Sequence, residues 1–163
     1  VKKGLEDASL EEELTAVDNY IYILNVRFSG DIHFTKVVDA RLMDCRVPSM
    51  ILQPIVENAV NHGIRNIDWE GKILLEITGT EDMIHIRIKD NGKGMSRERI
   101  CEVLSGNSGE GEEQSDSTGV GMNNVISRLE LYYNQKNLVD ISSQGINMGT
   151  EVTLRLPRTG GKK

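Results

Sequence analysis

Cysteine, aromatic side chains and long apolar runs are all scarce in this sequence. Its two cysteines, Cys45 and Cys101, lie in unrelated contexts and lack metal-ligand spacing. We interpret them as free thiols of a reducing cytoplasm rather than as a disulfide. No apolar run reaches the roughly 18 residues that a membrane-spanning helix needs, and no signal peptide opens the sequence. The sequence therefore predicts a cytoplasmic domain with no direct membrane contact.

Basic charge is in deficit as well. The chain carries 19 Lys and Arg against 25 Asp and Glu, which gives a net charge of −6 and a pI of about 5.1. Binding to nucleic-acid phosphates needs a basic face, so this balance excludes nucleic acid as an expected partner. In a chain of 163 residues, 38% hydrophobic and 27% charged residues are ordinary for one globular domain with its own core.

Four helices are predicted. The first opens on a capping box formed by Ser9 and Glu12. Its apolar residues recur at spacings of three and four and predict a helix that ends near Phe28, along the seam Leu10, Leu14, Val17, Ile21, Leu24 and Phe28. Such a helix either packs on its own domain or extends an upstream dimeric coiled coil, for which about two and a half heptads are few. The other helices are predicted over residues 49–63, from Ser96 onward, and over residues 121–133.

Strands are predicted where apolar and polar residues alternate. The apolar members of these segments are Ile32 and Phe34, then Ile73, Leu75 and Ile77, then Ile84, Ile86 and Ile88, and finally Val152, Leu154 and Leu156. Alternation buries one face of each strand, and residues 79–82 form a hairpin turn. Helices on one face of a mixed, mostly antiparallel sheet make a two-layer α+β sandwich. Residues 105–118, rich in Gly, Ser, Glu and Asp, and the tail 159–163 are expected to be mobile.

The predicted helix over residues 49–63 has two contrasting faces. Its apolar residues fall in one arc when it is wound at about 100° per residue, and the opposite arc holds Glu57, Asn58, Asn61, His62 and Arg65. A solvated face usually carries lysines and glutamates, whereas carboxamides and an imidazole can bind phosphates and hydrated Mg²⁺. Taken alone, this arc is also typical of solvated surface, so both interpretations stay open.

Glycine motifs offer further ligand-binding candidates. Residues 90–94, Asp-Asn-Gly-Lys-Gly, directly follow a strand, and glycine lets the backbone approach a ligand closely. Asp90 can accept a hydrogen bond from the exocyclic amine of adenine and would repel the carbonyl that guanine presents there. A simple Asp-Gly turn is the alternative. The Gly-Val-Gly of residues 119–121 suits phosphate binding at a helix start or a hinge, and Gly149-Thr150 is uninformative by itself.

The order of these motifs resembles the ATP-binding domain of histidine kinases, whose N, G1, G2 and G3 boxes follow one another in the same way. That domain shares the Bergerat fold of gyrase, Hsp90 and MutL. A closer resemblance, to sensor kinases of the LytS and YesM type, covers about residues 9–157. It rests on Leu-Glu-Glu-Glu-Leu at 10–14, Asn19-Tyr20, Arg27-Phe28, Pro-Ser-Met-Ile-Leu-Gln-Pro-Ile-Val-Glu-Asn-Ala at 48–59, Arg128-Leu129 and Tyr132-Tyr133.

The resemblance implies a binding site for ATP and Mg²⁺. It assigns Mg²⁺ to Asn58, a supporting catalytic role to Glu57, the adenine amine to Asp90 and the ATP lid to residues 105–118. The residues expected to contact the nucleotide are Asn58, Asn61, His62, Asp90, Gly92, Gly94, Met95, Thr118, Gly119, Val120, Gly121, Met122 and Thr150. The expected organisation is a linking helix (1–30), the ATP-binding domain (31–158) and a disordered tail (159–163).

In the family that this sequence resembles, the γ-phosphoryl group passes to a histidine on an upstream dimerisation helix and then to a response regulator. The parent protein is implied to be a homodimer anchored in the bacterial membrane. The acceptor lies in a Pro-His-Phe context that His33, His62 and His85 do not match, so we expect it outside this sequence. His33 and His85 are expected at exposed sheet positions. A second departure is Asn61, which stands where the family often has lysine.

Other functions of this superfamily remain as alternatives. An ATP-hydrolysing machine places a glutamate one turn before the Mg²⁺ asparagine to activate water, and this chain has Pro54 there. A serine kinase of the anti-sigma type lacks the upstream helix. A non-enzymatic nucleotide sensor does not need Asp90, Asn58 and the glycines all intact. A histidine kinase catalytic domain is therefore the main hypothesis.

Overall fold

The computed structural model describes residues 6–27, 32–105 and 118–158, and for residues 118–120 it describes the backbone alone. Its elements in chain order are β1 (Asp7–Ser9), α1 (Leu10–Arg27), β2 (Ile32–Val38), a 3₁₀ turn (Ala40–Leu42), β3 (Arg46–Pro48), α2 (Leu52–Asn58), a π-helix (Ala59–Ile64), β4 (Gly71–Gly79), β5 (Met83–Asp90), α3 (Arg97–Ser105), α4 (Thr118–Tyr133), β6 (Val139–Ser142) and β7 (Thr150–Pro157). Phe28, most of the predicted lid and the tail 159–163 lie outside the described residues.

A five-stranded sheet in the order β2-β4-β5-β7-β6 forms one layer of the domain. Only the edge strand β2 runs parallel to its neighbour β4, and the other three pairings are antiparallel. The predicted mixed, mostly antiparallel sheet is therefore confirmed. The strands β1 and β3 pair in a separate two-stranded sheet that alternation did not predict, because each is only three residues long.

The helices cover one face of the five-stranded sheet and make the two-layer α+β sandwich that the sequence predicts. Alternate residues on that face are almost fully buried, among them Leu75, Ile77, Ile86, Leu154 and Leu156. The opposite face is polar, and there Arg87 pairs with Glu76 at 2.7 Å and with Glu151 at 3.6 Å. None of the helices in residues 6–27, 32–105 and 118–158 has the length and hydropathy of a membrane-spanning segment.

The two strand histidines lie on the polar face but differ in exposure. The side chain of His33, on the edge strand β2, is 57% exposed and lies 2.5 Å from a carboxylate oxygen of Glu70. His85 was expected to be exposed as well, but it is half-buried. The reason is its central strand: His85 is flanked in register by Thr78 on β4 and Arg155 on β7.

The helix α1 packs on its own domain. Its capping box is confirmed, because the Ser9 N–H donates to Glu12 Oε1 at 2.9 Å and the Glu12 N–H donates to Ser9 Oγ at 3.0 Å. Its buried apolar residues join the core cluster that the sheet and the other helices share: Leu10, Leu14, Val17 and Ile21. This contact favours packing within the domain over a coiled-coil extension.

The helix α2 begins at Leu52, not near residue 49 as the sequence suggested. Met50 has a left-handed φ of 62°, which no regular helix accommodates. The N–H groups at the helix start are instead taken up by Glu13 of α1, a buried carboxylate. Its oxygens accept from Met50 N at 2.9 Å, Ile51 N at 3.0 Å and Leu52 N at 3.1 Å. A negative charge is also stabilising beside a helix N-terminus.

We expect Glu13→Gln to lower the free energy of unfolding by about 1–3 kcal/mol, since a charged acceptor is lost and an amide N–H then faces N–H donors. Urea denaturation followed by circular dichroism measures this change. The control is Glu11→Gln, a neighbouring exposed glutamate in the first turn of α1. Equal effects of the two variants would contradict the capping role of Glu13.

Candidate functional site

A pocket of about 380 Å³ opens at one end of the sheet. Its lining combines the α2 and π-helix wall, the core face of β5 and β7, and the starts of α3 and α4. The sheet and helix sides contribute apolar side chains: Ile55, Ala59, Ile88, Ile141 and Val152. Of the predicted nucleotide contacts, the pocket brings together Asn58, His62, Asp90, Gly94, Met95, Met122 and Thr150.

Asp90 is a buried carboxylate at the floor of this pocket. It continues the buried face of β5 after Ile88, and its register partners are Ile73 and Thr150. Because side chains alternate between the two faces of a strand, Asp90 lies on the same core face as Ile88. Burial raises the pKa of Asp90 to about 6, although N–H groups of Gly92 and Thr150 donate to it and oppose the rise. The Gly92 N–H lies 2.8 Å from Oδ1. A buried carboxylate in a pocket is a strong acceptor for a ligand donor.

Asn58 supplies the second polar group of the pocket. Its Nδ2 is buried and, in the part of the chain that the structure describes, has no hydrogen-bond partner. The start of α4 packs against it so closely that a Cβ on Gly121 would lie 3.3 Å from both Oδ1 and Nδ2. An unsatisfied buried N–H donor is costly unless a ligand supplies an acceptor for it.

The helix α4 begins at Thr118 rather than at Gly121, so residues 119–121 form its first turn instead of preceding it. The N–H groups of a first helical turn lack partners within the helix and suit phosphate oxygens. Thr118 and Val120 were also predicted to contact the nucleotide, but their side chains lie outside the described part of the structure.

The glycines after β5 let backbones approach one another, a role that the sequence did not indicate. A Cβ on Gly92 would lie 2.1 Å from the carbonyl oxygen of Gly63 in the π-helix, and one on Gly94 would lie 2.1 Å from that of Gly145. Hydrogen bonds hold this contact, since Lys93 N donates to Gly63 O at 2.9 Å and Gly149 N donates to Gly92 O at 3.0 Å. The segment 92–94 therefore packs between the π-helix and the loop after β6.

We expect Gly92→Ala to destabilise the domain by about 3 kcal/mol or more, because the new methyl group overlaps backbone atoms that cannot rotate away. Gly145→Ala is the control. Gly145 has a φ of 132° but open space where its Cβ would stand, so that variant measures backbone strain without overlap. Thermal unfolding of both variants checks the difference. A Gly92→Ala protein as stable as the Gly145→Ala protein would refute the close-approach argument.

Two predicted residues face away from the pocket. Asn61 is exposed, accepts from Arg65 Nη1 at 3.2 Å, and lines a separate cavity of about 550 Å³ on the other side of the π-helix. Glu57 accepts from Gln53 Nε2 at 2.8 Å. It also lies near Tyr20, whose pKa is raised to about 12 by burial and then by Glu57. The larger cavity holds none of the glycine-motif residues, so the smaller pocket is the candidate site.

Sequence reasoning missed two residues that shape the site. Ser143 is one: its Oγ accepts from Met95 N at 3.1 Å and donates to Gly149 O at 2.6 Å, which ties the loop after β6 to the glycine motif. Arg99 is the other, a basic side chain on α3 that lines the pocket and pairs with Glu102 at 3.1 Å. Neither carries a local signal, because each gains its role from a contact between distant segments.

The fold and the pocket define a two-layer α+β sandwich with a candidate ligand site at one end of its sheet. The model for the histidine kinase-, DNA gyrase B- and HSP90-like ATPases matches residues 47–160, and the chain belongs to that family. The LytS sensor protein of Bacillus anthracis is 28% identical over 158 residues, which cover 94% of this chain and 25% of that protein. The chain thus spans about a quarter of the length of the curated relatives it matches.

Solved structures show the same fold. The catalytic domain of the histidine kinase ThkA superposes with a TM-score of 0.69 at 16% identity, covering 94% of this chain and 95% of that one. ThkA in complex with the response regulator TrrA gives a TM-score of 0.66 at 16% identity, covering 98% of this chain and 43% of that one. The predicted α+β fold and the resemblance to sensor kinases of the LytS and YesM type are confirmed.

Proposed function

We propose that this domain binds ATP with Mg²⁺ and donates the γ-phosphoryl group to a histidine on a dimerisation helix, for relay to a response regulator. The observation that carries the proposal is the buried Asp90 carboxylate in the same pocket as Asn58, whose buried Nδ2 has no acceptor among the described residues. The names of the relatives agree with it, since LytS is a sensor protein and ThkA was solved with a response regulator. The parent protein is proposed to be a membrane-anchored homodimer.

Asp90 selects the base in this proposal. Its carboxylate accepts a hydrogen bond from the exocyclic amine of adenine, while guanine would turn a carbonyl oxygen toward a negative charge. Thr150 is adjacent in register and donates its N–H to the carboxylate, which fixes the orientation of the acceptor. The apolar lining excludes water from the base and strengthens that hydrogen bond.

Asn58, His62 and the first turn of α4 hold the phosphate end. Asn58 offers one oxygen, which suits Mg²⁺ because that ion keeps several waters and takes few protein ligands. Across the described ranges, no group of three or more His, Cys, Asp or Glu side chains could hold a metal ion, so nucleotide oxygens and water would complete its shell. When bound, Mg²⁺ neutralises charge on the transferring phosphoryl group. Transfer then depends on positioning rather than on covalent chemistry by the protein.

ATP hydrolysis fits this site less well than transfer. A hydrolase needs a general base one turn before the asparagine, and Pro54 in α2 has no side-chain group that can accept a proton. Glu57 points toward Gln53 and Tyr20, so we propose at most a supporting role for it. The three histidines of the sequence give no acceptor in the expected context.

Calorimetric titration with ATP, ADP and GTP tests the proposal. We expect strong preference for the adenine nucleotides, together with a change in the emission of Trp69, the single tryptophan, whose Nε1 donates to Asn91 O at 2.7 Å beside Asp90. Equal affinity for ATP and GTP would refute the adenine assignment. Radiolabelled ATP and a fragment bearing the dimerisation helices then separate a kinase from a nucleotide sensor, because only a kinase labels the fragment.

A further inference from the structure

An exposed apolar side chain stands at the rim of the pocket. Ile146 is 75% exposed and lines the pocket, on the loop between β6 and β7. Two residues further on, Met148 is 59% exposed, and it is not among the residues that line the pocket. Covering a large exposed apolar side chain at the mouth of a pocket with an apolar group of a ligand would lower the free energy of the complex.

The loop that carries Ile146 is fixed in place. Asn147 N donates to Lys93 O at 2.7 Å, and Ser143 Oγ accepts from Met95 N at 3.1 Å. The residues on either side of Ile146 adopt positive φ, 132° at Gly145 and 65° at Asn147, which turns the chain sharply around it. The position of Ile146 is therefore set by the fold before any ligand arrives.

The anchors of this loop place Ile146 at the Asp90 end of the pocket. The loop is bonded to Gly92, Lys93 and Met95, all within five positions of Asp90 in the sequence. At the end of the loop, a Cβ on Gly149 would lie 2.1 Å from the carbonyl oxygen of Asp90. Asp90 and Ile146 therefore line one pocket from two segments that are bonded to each other, within reach of one bound group.

We propose that Ile146 packs against the face of the adenine base and is a determinant of nucleotide affinity. This inference rests on the proposed function, because it takes adenine as the group bound to Asp90. A planar aromatic base presents an apolar face that a branched aliphatic side chain covers well, whereas a phosphate would gain nothing from isoleucine. The contact adds affinity for the base without adding any for the phosphates.

The test compares Ile146→Ser with the matched variant Met148→Ser by calorimetric titration of ATP, adenosine and inorganic tripolyphosphate. We expect Ile146→Ser to weaken ATP and adenosine binding by a similar factor of about 5- to 20-fold and to leave tripolyphosphate binding unchanged. Met148→Ser is expected to bind all three ligands as the unmodified chain does. Ile146→Val is expected to restore most of the affinity. Circular dichroism establishes that each variant is folded.

The possible failures of this test differ from one another. Unchanged ATP affinity in Ile146→Ser, or an equal loss in Met148→Ser, overturns the role of Ile146 while the proposed function stands. A loss for ATP and tripolyphosphate but not for adenosine also overturns it, because the contact would then be with phosphates. If the unmodified chain binds none of the adenine ligands, the proposed function fails and the inference fails with it.

Discussion

Replacing Asn58 by alanine is expected to reduce phosphoryl transfer by roughly 100-fold or more while ATP binding falls far less. Asn58 lines the pocket, and its buried Nδ2 has no acceptor among the described residues, so a phosphate oxygen of the nucleotide could accept from Nδ2 while Oδ1 binds Mg²⁺. The proposed contact of Asp90 with the base would survive the change. The loss therefore falls on the transition state, in which Mg²⁺ offsets developing charge.

The measurement pairs two readouts. Calorimetry with and without Mg²⁺ gives the gain in ATP affinity that the ion supplies, and labelling of a fragment with the dimerisation helices gives the transfer rate. In Asn58→Ala we expect both the gain and the transfer to be nearly lost. Asn61→Ala is the matched control, because Asn61 is exposed on the same helical segment and lines the other cavity. Transfer by Asn58→Ala at the unmodified rate, or equal losses in both variants, would exclude Asn58 as the metal ligand.

The sequence predicted the layers of the fold and the burial of the central strands. Period-two alternation is a direct consequence of strand geometry, so the buried face of β5 could be predicted without any knowledge of its partners. The start of α2 could not. It depends on the left-handed Met50 and on Glu13, a residue 37 positions away from Met50 that supplies the acceptors. The local sequence around residues 49–52 does not indicate that a side chain of another helix caps the start of α2.

The site was predicted unevenly for the same reason. Asp90 follows the buried face of its strand and Asn58 follows the helical period, so local sequence marked both as candidates, while their roles toward a nucleotide came from the family resemblance and stay predictions. The structure gives Gly92 and Gly94 a role that the sequence did not predict, close contact with the backbone of Gly63 and Gly145. Both neighbours are distant in the sequence, so no local pattern indicates the contact. The helical wheel placed Asn61 with Asn58, but the structure places it on another cavity. The π-helix over Ala59–Ile64 has more residues per turn than an α-helix, so a wheel drawn at 100° misplaces residues beyond Asn58.

Replacing Asp90 by asparagine is expected to weaken ATP binding by tens of fold or more. A hydrogen bond to a buried charged acceptor contributes about 1.5–3 kcal/mol, and the amide N–H of asparagine would also face the donor of adenine. The same charge requirement predicts a pH dependence. Because burial raises the pKa of Asp90 to about 6, the carboxyl group is increasingly protonated below that pH and loses acceptor capacity. Affinity in the unmodified chain should therefore fall as the pH drops through about 6. In Asp90→Asn the part of this fall that Asp90 causes should be absent.

The stability of the ligand-free domain should rise as the pH drops, whereas the affinity for ATP should fall. The pKa of Asp90 is about 6 in the folded state against an ordinary 3.8, so folding favours the protonated form. The stabilisation of the folded state that results from this preference is fully present below pH 3.8 and is lost as the pH rises through about 6. At pH 8 the buried charge then costs on the order of 3 kcal/mol. Asp90→Asn removes it, so the variant should be more stable than the unmodified chain at pH 8 and nearly equal at pH 4.

Urea denaturation from pH 4 to 8 measures this difference, and Asp82→Asn, at an exposed aspartate in the turn between β4 and β5, is the control that should show none. A residue that lowers stability at neutral pH but raises ligand affinity at the same pH serves ligand binding rather than folding. If Asp90→Asn loses affinity but gains no stability at pH 8, the carboxylate is already satisfied by the Gly92 and Thr150 N–H groups. If it gains stability but binds ATP normally, Asp90 does not contact the base.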